Sequence, residues 1–157
     1  MPPQLLVDLD AIDLTRVVDD VDGIRKYNPQ RYEFEQLQGI IHFDPEAGCA
    51  VGYRDIRGDE FWVRGHIPGR PLFPGVLMCE AAAQLSSYCL RRMMPADGFL
   101  GFAGLDEVKF RGQVVPGDRL YLLVRKREIQ RRRAIFDTQG VVNGRVVFQA
   151  IVTGMYI

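Results

Sequence analysis

Histidine is scarce in this chain and cysteine is odd in number. Only two histidines, His42 and His66, and three cysteines, Cys49, Cys79 and Cys89, occur in 157 residues, and no two cysteines have CxxC spacing. A metal site would have to gather its ligands from unrelated segments, and an unpaired set of cysteines fits reduced thiols better than a disulfide frame. The longest nearly apolar stretch, Val76 to Leu90, is broken by Glu80 and Gln84 and is too short to span a bilayer, so no membrane association is expected. The opening residues, Met-Pro-Pro-Gln-Leu-Leu-Val-Asp, have neither the basic nor the apolar region of a secretory signal, which points to the cytoplasm. Acidic and basic side chains balance at 20 each, and no nucleic-acid partner is expected.

The balance hides an asymmetry. Residues 1–60 carry 13 acidic and 6 basic side chains, while residues 61–157 carry 7 and 14. Arg91-Arg92, Arg125-Lys126-Arg127 and Arg131-Arg132-Arg133 in the later half can steer an acidic partner, although each also reads as a solvated strand face.

What is present suits one α+β domain. Residues 1–27 read as a partly helical lead-in, with Ile12, Val17, Val18, Val21 and Ile24 among aspartates, broken near Gly23 and ended by Asn28-Pro29. Short runs rich in Ile, Val, Phe and Tyr predict strands over Ile40–Phe43, Cys49–Ile56, Glu60–Val63, Leu100–Phe110, Leu120–Ile129, Ala134–Val142 and Arg145–Ile157. Asn143-Gly144 between the last two is a strong hairpin signal. One long helix is predicted from Pro74 to Met93, closed by Pro95 and Gly98. It is apolar nearly all round, so it must be buried on more than one face, as in a sheet curling around it.

Glu80, Gln84, Ser87 and Arg91 recur at helical spacing and form one polar stripe on that helix. A carboxyl group held among apolar side chains keeps its proton more readily, as a general acid must; the plain alternative is a buried pair with Arg64, Arg70 or Arg111. Gln84, one turn on, can orient Glu80. His66 lies fourteen residues before Glu80, in a stretch where three prolines and three glycines fall within eleven residues, Gly65 to Gly75. Such a loop is stiff and sharply turned. Where it meets the helix, the Gly75 and Val76 N–H groups lie at the positive end of the helix dipole and can polarise an acyl oxygen. Base, acid and oxyanion donors together suit abstraction of a proton α to a carbonyl and loss of a β-hydroxyl, with no metal or organic cofactor needed.

The run Gly65-His66-Ile67-Pro68-Gly69-Arg70-Pro71-Leu72-Phe73-Pro74-Gly75-Val76-Leu77-Met78-Cys79-Glu80-Ala81-Ala82-Ala83-Gln84 resembles the G-H-F-P-G-R-P-x-x-P-G-V-L-x-x-E-A-x-A-Q signature of hotdog-fold 3-hydroxyacyl-[acyl-carrier-protein] dehydratases of type II fatty acid synthesis, in the glutamate-bearing branch that does not isomerise. Asn28 to Phe34 resembles that family's P-H-R-Y-P-F entry motif, with Gln30 for histidine and Glu33 for proline. Gly104 to Asp118 resembles its G-I-D-x-x-x-F-x-x-x-V-x-P-G-D run.

The resemblance implies a hotdog domain over 28–157, an antiparallel sheet wrapped around one long central helix. It implies dehydration of a 3-hydroxyacyl carrier-protein thioester to the trans-2-enoyl thioester, in fatty acid or lipid A related synthesis, by His66 as base and Glu80 as acid. It also implies acyl carrier protein as partner and a homodimer whose sites take the histidine from one chain and the glutamate from the other, in some members as a hexamer of three dimers. Trp62, Phe73, Phe99 and Phe102 are candidates to line the acyl tunnel. The competing readings are a hotdog acyl-thioesterase and a non-catalytic acyl-binding or assembly subunit of the same fold.

Overall fold

The computed structural model describes residues 1–157. After a 3-10 turn at Leu9–Ala11 comes a short helix α1 (Val21–Arg25), then a second 3-10 turn at Tyr32–Phe34. Strands β1 (Gly39–Asp44) and β2 (Cys49–Asp55) precede the long helix α2 (Gly75–Met93). Strands β3 (Leu100–Phe110), β4 (Arg119–Ile129), β5 (Arg133–Val142) and β6 (Arg145–Tyr156) follow. They form one antiparallel sheet in the order β1-β2-β4-β5-β6-β3.

The sheet wraps α2, as the hotdog expectation requires. Ala81, Ala82, Leu85, Tyr88 and Cys89 on the helix are 0% exposed and share one core with Leu120, Leu122, Val124, Phe136 and Phe148 from the strands. The all-round apolar character of α2 thus has a direct cause: the curled sheet covers most of its circumference. No helix is long and apolar enough to cross a membrane. Between β5 and β6, Asn143 and Gly144 both have positive φ, 50° and 75°, the type I′ geometry whose twist matches the paired strands.

Two expectations need correction. Glu60–Val63 is not a strand but part of a series of turns, with Val63 N–H donating to the Glu60 carbonyl at 3.1 Å and His66 N–H to the Trp62 carbonyl at 2.8 Å. Both sides of β2 are already paired, with β1 and β4, and the Glu60 side chain is drawn into a buried ion pair with Arg54. Gly23 does not break a helix; it lies inside α1, where a Cβ would sit 2.4 Å from Asp19 Oδ1. The break expected from backbone freedom is overruled by a close approach that only glycine allows.

The lead-in straps the sheet's outer face. Val7 and Leu9 pack with Ile41, Cys49, Val51, Leu123 and Val141 in a second apolar cluster. Gln139 clamps the strap by accepting from Leu6 N–H at 2.9 Å and donating to the Gln4 carbonyl at 2.8 Å. Further along, Asp19 bridges Ile40 and occupies part of the β1 edge. The opposite edge, β3, is open and carries exposed Phe102, Leu105 and Phe110.

Candidate active site

The His66 loop owes its path to its own residues. Ile67-Pro68-Gly69-Arg70 closes as a turn, Arg70 N–H donating to the Ile67 carbonyl at 2.9 Å, with Gly69 at φ 82°. Proline second and a positive-φ glycine third define a type II turn. Ile67 itself has φ 59°, a conformation that a β-branched residue adopts only when its surroundings impose it. The imposing contacts are nearby. Trp62 and Phe73 meet edge to face at 5.5 Å, and Phe73 N–H donates to the Val114 carbonyl at 2.8 Å.

This framework sets the imidazole. His66 Nδ1 lies 2.7 Å from the Leu72 carbonyl oxygen. A carbonyl can only accept, so Nδ1 carries the proton, and in the neutral ring Nε2 keeps its lone pair. His66 is thereby preset as a base through Nε2.

At the start of α2, Pro74 offers no capping side chain, and the Gly75 and Val76 N–H groups have no acceptor within the chain. They remain available to an anionic or polarised oxygen. Gly75 is required by packing: a Cβ there would stand 2.7 Å from the Phe110 ring. Phe110, at the end of β3, therefore lies directly against the helix start.

Glu80 is half-buried on the second turn of α2 and takes part in none of the seven ion pairs. The arginine-pair alternative fails; Arg111 instead donates to Gln149 Oε1 at 2.8 Å. What holds Glu80 is Gln84, 3% exposed, whose Nε2 donates to Glu80 Oε1 at 2.9 Å and to the Phe34 carbonyl at 2.6 Å. Gln84 Oε1 accepts from Gln36 N–H at 3.0 Å, and Asn28 Nδ2 donates to the Gln84 carbonyl at 2.9 Å. Both amide hydrogens and the side-chain oxygen are thus engaged. The orienting role expected of Gln84 has a geometric basis, but its other partners, in the 28–36 segment, carry no recognisable spacing in the sequence.

Within one chain no hydrogen bond joins His66 to Glu80; each is held by its own partner. A cavity of about 170 Å³ runs beside Gln84 along α2, lined by Ser87 and Leu90 on the helix and by Phe99 and Phe102 on the sheet side. Of the four aromatic candidates, Phe99 and Phe102 reach this cavity. Trp62 and Phe73 are 4% and 3% exposed and belong to the core that braces the His66 loop. All three cysteines are buried, and burial pushes the Cys89 thiol up to about 12 and raises Cys49 and Cys79. None is a competent nucleophile.

Known proteins place these features in context. A family model described as the FabA-like domain matches residues 28–151. A 3-hydroxyacyl-[acyl-carrier-protein] dehydratase FabZ of Clostridium botulinum (strain Loch Maree / Type A3) is 34% identical over 132 residues, covering 83% of this chain and 91% of that protein. Among solved structures, the dehydratase heterocomplex ApeI:P from Xenorhabdus doucetiae is similar with a TM-score of 0.70 at 14% identity, covering 85% of this chain and 90% of that one. A hypothetical thioesterase protein with coenzyme A from Streptococcus pneumoniae TIGR4 is similar with a TM-score of 0.59 at 14% identity, covering 75% and 84%. At such identities the structural likenesses speak for the fold alone.

Proposed function

The chain belongs to the FabA-like domain family, and from that premise we propose that it removes water from 3-hydroxyacyl-[acyl-carrier-protein] thioesters in fatty acid biosynthesis. The FabZ relative at 34% identity carries the reaction class. Acyl carrier protein is the partner that presents the substrate, and the enzyme would work in the cytoplasm.

The observation that supports the mechanism is the 2.7 Å contact of His66 Nδ1 with the Leu72 carbonyl. Nε2 takes the proton from C2 of the thioester. Negative charge then grows on the thioester oxygen, where the free N–H groups of Gly75 and Val76 can stabilise it. Glu80, protonated and oriented by Gln84, passes its proton to the departing 3-hydroxyl, which leaves as water while the C2–C3 double bond forms. Return of a proton from the imidazolium to the carboxylate, directly or through solvent, restores the starting state.

Two chains complete each site in this reading. The β3 edge is open and bears exposed Phe102, Leu105 and Phe110, a surface that pairing with a second copy would cover. Phe110 also touches the helix start at Gly75, so pairing along β3 would bring one chain's His66 loop towards the other chain's Glu80. The dimer, and any assembly of dimers, is part of the proposal.

The test uses an N-acetylcysteamine thioester of a 3-hydroxyacyl group. Growth of enoyl absorbance without release of free thiol is the expected result. Thiol release without enoyl product would make the protein a thioesterase, and binding without either would make it an acyl-binding subunit.

A further inference from the structure

The cavity beside Gln84 is not lined as a purely hydrocarbon chain would require. Its wall includes the polar residues Gln30, Gln84, Ser86, Ser87 and Thr153. Two of these are spent within the protein: Gln84 on the four contacts described above, and Ser86 on a hydrogen bond to the Ala82 carbonyl at 2.8 Å. Gln30 is different. Its side-chain oxygen is buried yet accepts no hydrogen bond. Asn28 Oδ1 and Gln36 Oε1 are also unpaired, but neither residue lines the cavity.

Gln30 cannot easily escape this position. Its backbone carbonyl accepts from Arg31 Nη1 at 2.7 Å, and the segment is pinned to α2 on either side through Asn28 and Gln36. A buried acceptor without a partner costs about 1–3 kcal/mol, and such orphans in native proteins commonly mark a place where a ligand group belongs. The sequence agrees that the position is particular to this chain, since glutamine stands where the entry motif it resembles has histidine.

We propose that Gln30 is a specificity-determining residue whose amide oxygen accepts a hydrogen bond from a hydroxyl group on the acyl chain beyond C3, so that the enzyme favours acyl thioesters with an oxygenated tail over plain aliphatic ones. The proposal rests on the dehydratase reading for its substrate, and on Gln84 for its geometry, because Gln84 touches Glu80 and lines the same cavity. An O–H donor, rather than a carbonyl or ether, is the matching group, since an amide oxygen only accepts. Ser87 and Thr153 add two hydroxyls to the same wall and can accept from or donate to the same substituent. A site with such groups discriminates through the unpaired atoms it leaves when the substituent is missing.

The test is a binding series by calorimetry on the full-length protein, with N-acetylcysteamine thioesters of decanoate and of 5-, 6-, 7- and 8-hydroxydecanoate, which lack a 3-hydroxyl and cannot be dehydrated. At least one hydroxylated chain should bind about tenfold more tightly than decanoate, the worth of one neutral hydrogen bond. Q30L should abolish that preference while binding decanoate at least as well, and Q30N, with its shorter reach, should reduce it. Equal or weaker binding of every hydroxylated chain, or a preference that survives in Q30L, overturns the proposal. Turnover of 3-hydroxydecanoyl thioester is followed separately: its absence would sink the dehydratase reading, whereas a Q30L effect confined to KM for that substrate, with none in the tail series, would overturn the assignment to the tail.

Discussion

Gln84 donates one amide hydrogen to Glu80 Oε1 at 2.9 Å and the other to the Phe34 carbonyl at 2.6 Å. One side chain therefore sets the proposed acid and fastens the 28–36 segment over α2. Replacing it with a residue of similar length but no polar atoms, Gln84→Met, should lower kcat about tenfold with a smaller change in KM. It should also cost about 2–4 kcal/mol in urea unfolding, because the Gln36 N–H and the Phe34 carbonyl lose buried partners. An unchanged kcat in the folded variant would remove Gln84 from the positioning role.

His66→Ala and Glu80→Gln should each reduce kcat about 10²–10⁴-fold, the usual worth of a general base or acid. Mixing the two inactive proteins under conditions that exchange subunits should restore activity, since a hybrid dimer has one site with both groups. Full activity in both single variants would end the assignment, and no recovery on mixing would argue that each chain holds a complete site.

The contact between Gly75 and Phe110 makes a paired prediction. Gly75→Ala places a Cβ 2.7 Å from the ring as it stands, so it should lower both stability and turnover. Phe110→Ala in the same chain should recover much of the loss. A double-mutant cycle showing simple additivity would mean that the two residues do not constrain one another.

Ile67 holds φ 59° beside the proposed base. Asn tolerates that conformation where a β-branched residue does not, so Ile67→Asn should raise the unfolding midpoint by about 2–4 °C, corresponding to about 1 kcal/mol. A lowered midpoint would show that the isoleucine side chain contributes more by packing than it loses in backbone strain.

Burial raises the Cys89 thiol from 9.0 to about 12. At pH 8 only about one native Cys89 in ten thousand is thiolate, so thiol reagents should modify it only after unfolding. The linkage sign follows. Between pH 9 and 12 the folded protein keeps this proton and the unfolded chain releases it, so the stabilisation present below pH 9 is lost as pH rises towards 12. Urea midpoints should fall over that range, and Cys89→Ala should flatten the fall. Burial also raises the Tyr88 hydroxyl, which leaves a residual slope in the variant.

The sequence by itself determined the elements whose cause is local. Leu100–Phe110 is read and found with the same ends, α2 begins at the Pro74-Gly75 junction where the helix signal starts, and Asn143-Gly144 forms the hairpin its residues demand. The ingredients of the site were legible too, because His66, Glu80 and Gln84 stand in a spacing that helix geometry makes meaningful. Tertiary structure alone decided the rest. The Leu72 carbonyl that presets His66 is a backbone group, and a backbone group has no signature in the residue type. Glu60–Val63 has the composition of a strand, yet the buried pairing of Glu60 with Arg54 and the already paired sides of β2 make it a turn. Trp62 and Phe73 could not be told from Phe99 and Phe102 by residue type, since an aromatic ring serves a core or a cavity equally well. Which one it joins depends on the strands and loops that arrive from distant parts of the chain.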